Sequence, residues 1–418
     1  MLNESGGSRT INVTSACRGK HLFPILGGPK IVCRRSEKGL KGPPDIIVIS
    51  LQDTDDALAE ARTSLPAEAW ARVAEGKAVV VFDHSPEAVV HTPERTQMLH
   101  GFLRDMGIPP ARAVYITEDR TYQVPYEAHC AEAGLGPPMT VLVYDYFTKR
   151  FFKEFETGGE ELFAERLARF RARPARRERA FICLNRAPRH NKLFLLLSLV
   201  RDGLWDRGFI SFSGFDKTFN PYAKSRHMLG DEMLAEPGFE DLAAELAPYI
   251  PELHAKGSIV LGVDAGVDTD HVLNNATIED PPLPERDQSW FTVVTETEFS
   301  GARRVTEKPF KSMLNFHPTL MIGTERSLEL IRELGFQTYD GYFDESYDAE
   351  TDARRRFDMA YAEVRRLCAL PDETLYAMEQ QIAEVMTFNA HWGLTRAPAL
   401  YRDEIDVKLM NDILSLID

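Results

Sequence analysis

The sequence predicts an α/β protein built from two tandem Rossmann-like domains with C-terminal helices. Short apolar runs of strand length alternate with amphipathic helical segments from residue 45 to residue 334, the pattern of parallel sheets covered on both faces. The alternation is interrupted once, by an arginine-rich stretch containing Pro174. A chain of 418 residues suits two cores, because single cores stop growing near ~250–300 residues.

Residues 1–44 are punctuated by Gly27-Gly28-Pro29 and Gly42-Pro43-Pro44 and read as a loosely packed N-terminal extension. In the first domain, residues 45–165, strands are expected at Asp45–Leu51, Ala78–Phe82, Ala113–Ile116 and Met139–Tyr144. Helical segments begin at Asp55, at Thr92 (a cap, with Pro93 in the first position) and at Tyr122. No GxGxxG follows a strand, so a dinucleotide cofactor is not indicated. Residues 166–179 form the linker. The second domain, 180–348, has strands at Ala180–Leu184, Phe209–Phe212, Ser258–Val263, Phe291–Thr295 and Thr319–Ile322. Its helices are His190–Arg201, Glu307–Asn315 and Thr324–Leu334, the last closed by Gly335. Residues 349–418 read as trailing helices.

Composition narrows the function classes. With 44% hydrophobic and 27% charged residues the chain is an ordinary globular one rather than a disordered one. The longest apolar run, Leu193–Val200, is far short of the ~20 residues a membrane span needs. No basic start plus apolar core opens the chain, and the five cysteines lack CxxC spacing. A reducing, cytoplasmic location is therefore expected. The net charge of −15 disfavours nucleic acid as a partner. Seven arginines between Arg166 and Arg179 are the local exception. They offer either a dock for an anionic membrane surface, peripheral to its inner face, or a helix face paired with neighbouring acids.

The chemistry centres on Thr306-Glu307-Lys308, between two expected strands. It reads as a Thr-capped helix start with an acid and a base in the first turn. Such a start favours a phosphate, Lys308 adds a point charge, and Glu307 offers acceptors for sugar or ribose hydroxyls. A second segment, Phe181 to Lys192, delivers Asn185 at a strand's carboxyl end and then starts a helix near Arg189, His190 and Asn191. Arg186 and Arg189 compete for the phosphate role there.

Arg304-Val305-Thr306-Glu307-Lys308, followed by His317-Pro318-Thr319-Leu320-Met321-Ile322-Gly323, resembles the donor-site signature of the α-1,3-fucosyltransferases. The stretch around Asn185–Lys192 resembles that family's strand ending at Asn and its Arg-Asn helix start. The resemblance covers roughly residues 180–325 and implies the two-Rossmann glycosyltransferase architecture (GT-B), with the donor on the C-terminal half. Arg304, Thr306, Glu307, Lys308, Asn185, Arg186, Arg189 and Asn191 would then bind the donor. Ser213, with Gly214, Lys217 and Asn220, would line the same region. The chain departs from the family in lacking an Asn ahead of the motif, where Glu296 and Glu298 stand, and in carrying Arg303 and Arg304 in place of an aromatic. Those departures leave the sugar and the base of the nucleotide open, GDP-fucose included.

The resemblance also points to Val81-Phe82-Asp83-His84-Ser85-Pro86-Glu87, similar to the family's Phe-Glu-Ser-Pro but one residue longer. Asp83 is first choice for the general base, His84 second and Glu87 third; the alternative is that Asp83 and Ser85 only cap a turn. Asp264, Asp268, Asp270 and His271 match no closed ligand set, so no metal or other cofactor is expected. The expected activity is metal-independent, inverting sugar transfer from a nucleotide-diphosphate donor to a hydroxyl of a glycan or surface-polymer precursor. The alternatives are transfer to protein or to modified nucleic-acid bases, and a non-catalytic nucleotide- or glycan-binding module.

Overall fold

All ten strands of the two sheets run parallel, and they divide six and four. The computed structural model describes residues 10–17, 22–26, 31–35, 43–51, 54–86, 89–185, 189–212, 234–259, 261, 283–298 and 300–417. The chain forms two compact units, residues 1–153 with 302–304 and 398–418, and residues 154–301 with 305–397.

The first unit holds β1 (Ile11–Ser15), β2 (Ile31–Arg35), β3 (Ile46–Ser50), β4 (Val79–Asp83), β5 (Ala113–Thr117) and β6 (Thr140–Val143), in the order β2-β1-β3-β4-β5-β6. Its helices are α1 (Thr54–Ser64), α2 (Ala67–Ala74), α3 (Pro93–Asp105), α4 (Gln123–Glu132) and α5 (Tyr146–Phe152). The central strands β3, β4 and β5 are mostly apolar and buried at every position because both faces are covered. Ile47, Ile49, Val80 and Phe82 pack with Leu58, Trp70, Phe102 and Leu103. Their neighbours Ile46, Val48, Val79 and Val81 face Leu409, Met410 and Ile413 of the helix Asp406–Leu414. Thr92 caps α3 as expected, its hydroxyl accepting from the Arg95 N–H at 3.3 Å.

Residues 1–44 are not simply an extension. β1 lies inside the sheet, between β2 and β3, with Ile11 and Val13 buried. Its alternating Ile-Asn-Val-Thr-Ser is a strand pattern that the surrounding glycines mask. The chain end also returns to this unit rather than trailing. The Lys149 Nζ and Asp406 Oδ2 stand 3.0 Å apart with both side chains fully buried, and the Tyr144 hydroxyl donates to Asp406 at 2.7 Å.

The second unit holds β7 (Arg179–Asn185), β8 (Gly208–Phe212), β9 (Ser289–Thr295) and β10 (Thr319–Ile322), in the order β10-β9-β7-β8. Its helices are α6 (Gly159–Arg171), α7 (His190–Arg201), α8 (Glu240–Leu246), α9 (Ile250–Lys256), α10 (Lys308–Met313), α11 (Ser327–Glu333), α12 (Ala353–Cys368), α13 (Asp372–Gln381) and α14 (Ala383–His391). Ten consecutive residues of α7, Asn191–Val200, are buried, as a helix that is apolar on every side must be. α12 packs on it through the Tyr361 hydroxyl, which donates to the Ser198 carbonyl at 2.7 Å. Gly335 ends α11 at φ +85°, where an added Cβ would meet the Trp392 ring at 2.5 Å. Only glycine fits there.

Of the strand expected at Ser258–Val263, the described part is a single antiparallel bridge from Ile259 to Phe212. The arginine-rich stretch is no linker. Its first half is the end of α6, and its side chains are spent internally: Arg166 on Asn315, Arg169 and Arg173 on Asp287, Arg177 on Glu379 at 2.6 Å and over the Trp290 ring at 4.1 Å, Arg179 on the Asp206 carbonyl. Arg171 and Arg176 are the exposed members of the seven, and the other five are engaged within the fold. Among the described residues no helix is long and apolar enough to cross a membrane.

Candidate functional site

The order of the second sheet makes a crevice. From β7 the chain crosses outward to β8, whereas β9 lies on the other side of β7 and leads away to β10. Connections that leave in opposite directions open a gap at the carboxyl ends of the two central strands, the usual ligand position in open parallel sheets. Asn185 ends β7, Thr295 ends β9, and the Thr295 hydroxyl donates to the Asn185 side-chain oxygen.

Three short segments converge there. Asn191, in the first turn of α7, donates from its amide to the Glu296 carbonyl. The buried Glu296 carboxylate accepts from the Thr306 N–H at 3.0 Å, from the Thr306 hydroxyl at 2.8 Å and from Lys308 Nζ at 3.1 Å. Lys308 Nζ also meets the hydroxyls of Thr306 at 2.9 Å and Thr297 at 3.2 Å. Arg189 precedes α7, half exposed, 3.6 Å from Glu298.

Sequence reading placed Thr306 as a helix cap, and the structure assigns it differently. The cap position of α10 is Glu307, without a side-chain cap bond, and Thr306 is held by Glu296. α10 has only six residues, so its dipole is small and the phosphate case passes to the side chains. Glu307 is buried, and its carboxylate accepts no hydrogen bond from the described residues.

Lys192 was not singled out from the sequence. It is 6% exposed in the first turn of α7, and its Nζ has no hydrogen-bond or ion-pair partner among the described residues. Burial, then the positive charges of Lys308 and Arg189, push its pKa down to about 7. The signal that could have found it is the apolar run that follows: a helix buried all round buries the lysine at its start.

The remaining expected residues lie elsewhere. Arg304 belongs to the first unit, where its guanidinium pairs with Glu118, and the Arg303 N–H donates to Asp119 Oδ1 at 3.0 Å. A buried carboxylate thus holds the Arg304 guanidinium. Burial raises the Glu118 pKa to about 7 despite Arg304. Asp83, at the end of β4, is fully buried. Its Oδ2 accepts from the Leu22 N–H at 2.7 Å, and its Oδ1 from the Ser85 N–H at 3.0 Å and hydroxyl at 2.7 Å. Burial still raises its pKa. His84 is buried with Nδ1 at 2.8 Å from the Tyr115 hydroxyl, and burial, helped by Arg95, lowers its pKa to about 3. Glu87, Arg186, Ser213, Gly214, Lys217, Asn220 and the group Asp264, Asp268, Asp270 and His271 lie outside the described residues. Among the described residues no group of three His, Cys, Asp or Glu side chains could hold a metal ion.

No family model and no curated protein matches the chain. Among solved structures it is similar to a crystal structure of an α1,3-fucosyltransferase, at 10% identity and a TM-score of 0.38 over 99% of this chain and 93% of that one. It is also similar to an α,α-trehalose 6-phosphate synthase from Burkholderia multivorans, at 9% identity and a TM-score of 0.38 over 98% and 99% of the two chains. At this TM-score the likeness carries no argument about chemistry, which rests on the residues of the site.

Proposed function

We propose that the chain is a glycosyltransferase of the GT-B type, taking its sugar from a nucleotide-diphosphate donor seated at the carboxyl ends of β7 and β9. The observation that carries this reading is the cluster around Glu296. It fixes Lys308 beside the start of α7 and the half-exposed Arg189, so that cations converge on a crevice where a parallel sheet takes its ligand. Cations in that position stabilise charge as it develops on a departing diphosphate, and the reading needs no metal ion. Glu307, buried without a donor among the described residues, suits ribose or sugar hydroxyls.

In this reading transfer is inverting. The acceptor oxygen attacks the anomeric carbon, the bond from that carbon to the diphosphate oxygen breaks, and its electron pair leaves with the diphosphate. The acceptor proton passes to a carboxylate base, for which Asp83 is the candidate, since its Oδ2 accepts one hydrogen bond and keeps a lone pair. The acceptor is a hydroxyl-bearing molecule such as a glycan.

The burial of Asp83 and His84 favours a second reading, a nucleotide-binding module without catalysis. Donor hydrolysis separates the two. Incubation with a panel of nucleotide sugars and no acceptor should slowly release nucleoside diphosphate; binding without release over many hours would leave the second reading standing.

A further inference from the structure

The donor site holds one charged group that the proposed function does not use. Lys192 lies in the first turn of α7, next to Asn191, whose amide reaches the Glu296 carbonyl; the residue is 6% exposed, and its Nζ has no acceptor among the described residues. A buried amine without a partner is costly, so a site that keeps one has a ligand in view. The groups whose charge it feels come from every side: Lys308 from α10, Arg189 from the start of α7, Cys183 from β7 and Glu296 after β9. Glu296 already holds Thr306 and Lys308, and Glu298 stands 3.6 Å from Arg189, so the acids on this side of the site are engaged with its other two cations.

We propose that Lys192 is the third cation of this site and contacts the diphosphate of the bound nucleotide, taking up a proton from solvent as it does so. The inference rests on the nucleotide reading above. Empty, the site holds Lys192 near half-protonation at neutral pH, because burial and two neighbouring cations oppose its charge. A diphosphate reverses that balance by placing two or more negative charges beside it. Binding at pH 8 then draws one proton into the site, and affinity falls as pH rises above 7.

Inorganic pyrophosphate is the probe. Calorimetric titration at pH 8 in two buffers of different ionisation enthalpy counts the protons exchanged. The wild type should take up roughly 0.9 proton more than Lys192→Met, the share a group of pKa near 7 lacks at that pH. Lys192→Met should bind pyrophosphate at least tenfold more weakly at pH 7. Lys192→Arg should bind within a few-fold of wild type but without the extra proton. Methionine removes a buried amine, so the variant should melt no lower than wild type, which sets aside misfolding. Equal affinity and equal proton count in wild type and Lys192→Met would overturn the role of Lys192 while leaving the nucleotide site in place. A wild type that binds neither pyrophosphate nor any nucleoside diphosphate would overturn both.

Discussion

Lys308 Nζ stands 3.1 Å from the Oε2 of Glu296, and the same carboxylate holds the Thr306 N–H and hydroxyl. One buried acid thus organises the end of β9 and the start of α10, and through its carbonyl the start of α7. Glu296→Gln keeps one oxygen acceptor but turns an amide NH2 toward the Lys308 ammonium. The expected loss is ~2–3 kcal/mol of stability, since donors are stranded in a buried place. Urea denaturation checks it. Adding Lys308→Met should recover part of the loss, and strictly additive effects would contradict the coupling.

Asp83→Asn tests the base. Transfer should fall about 10²–10⁴-fold, the usual contribution of a positioned general base, while nucleotide affinity stays unchanged. Some stability is also lost, ~1–2 kcal/mol, because the new amide faces the Leu22 N–H in place of an acceptor. Full transfer activity in the variant would remove Asp83 from the chemistry and leave it as a turn-holding residue.

Much of this frame was legible in the sequence, and the failures have physical causes. Helix His190–Arg201 and strand Thr319–Ile322 fall where periodicity put them, because each is a clean run with a clear start and stop. Ile11–Ser15 was missed because glycine-rich flanks outweigh five alternating residues. For the arginines of 166–179 the sequence left a membrane dock and pairing with acids both open, since Asp287 and Glu379, which pair with Arg169, Arg173 and Arg177, are remote in sequence. Arg304 precedes Thr306 by two residues, and its ion pair with Glu118, remote in sequence, could not be read from the chain. Lys192 looked like any first-turn lysine, and only packing shows that the residue is buried.

Glu118 sets a pH dependence in the first unit. Its folded pKa is raised to about 7, above the ordinary value, chiefly by burial. Between pH 4.5 and 7 the folded state therefore binds more protons than the unfolded state, and stability falls as pH rises through that window. The contribution is on the order of 3 kcal/mol. Glu118→Gln should be less stable overall, because Arg304 loses its partner, but should lack this slope. Parallel urea curves at pH 5 and 7.5 read the difference; identical slopes in both proteins would refute it.

The Lys149–Asp406 pair ties the chain end to the first sheet. Lys149→Met takes the ammonium away from a buried carboxylate that still accepts from the Tyr144 hydroxyl, at an expected cost of ~3–5 kcal/mol. Lys149→Met with Asp406→Asn should regain most of that, because a neutral side chain still accepts from Tyr144. A double variant as unstable as the single one would show that the ion pair, rather than relief of an unpaired charge, governs the docking.

The central claim is that the Glu296–Lys308 cluster at the ends of β7 and β9 binds the diphosphate of a nucleotide. Calorimetric titration of wild type and Lys308→Met with GDP, UDP, CMP and dTDP tests it most directly. At least one nucleoside diphosphate should bind the wild type, more tightly than the monophosphate CMP. Lys308→Met should weaken that binding at least tenfold, or ~1.4 kcal/mol, with the fold retained. A wild type that binds none of the four, or a Lys308→Met variant that binds as tightly as wild type, would contradict the account.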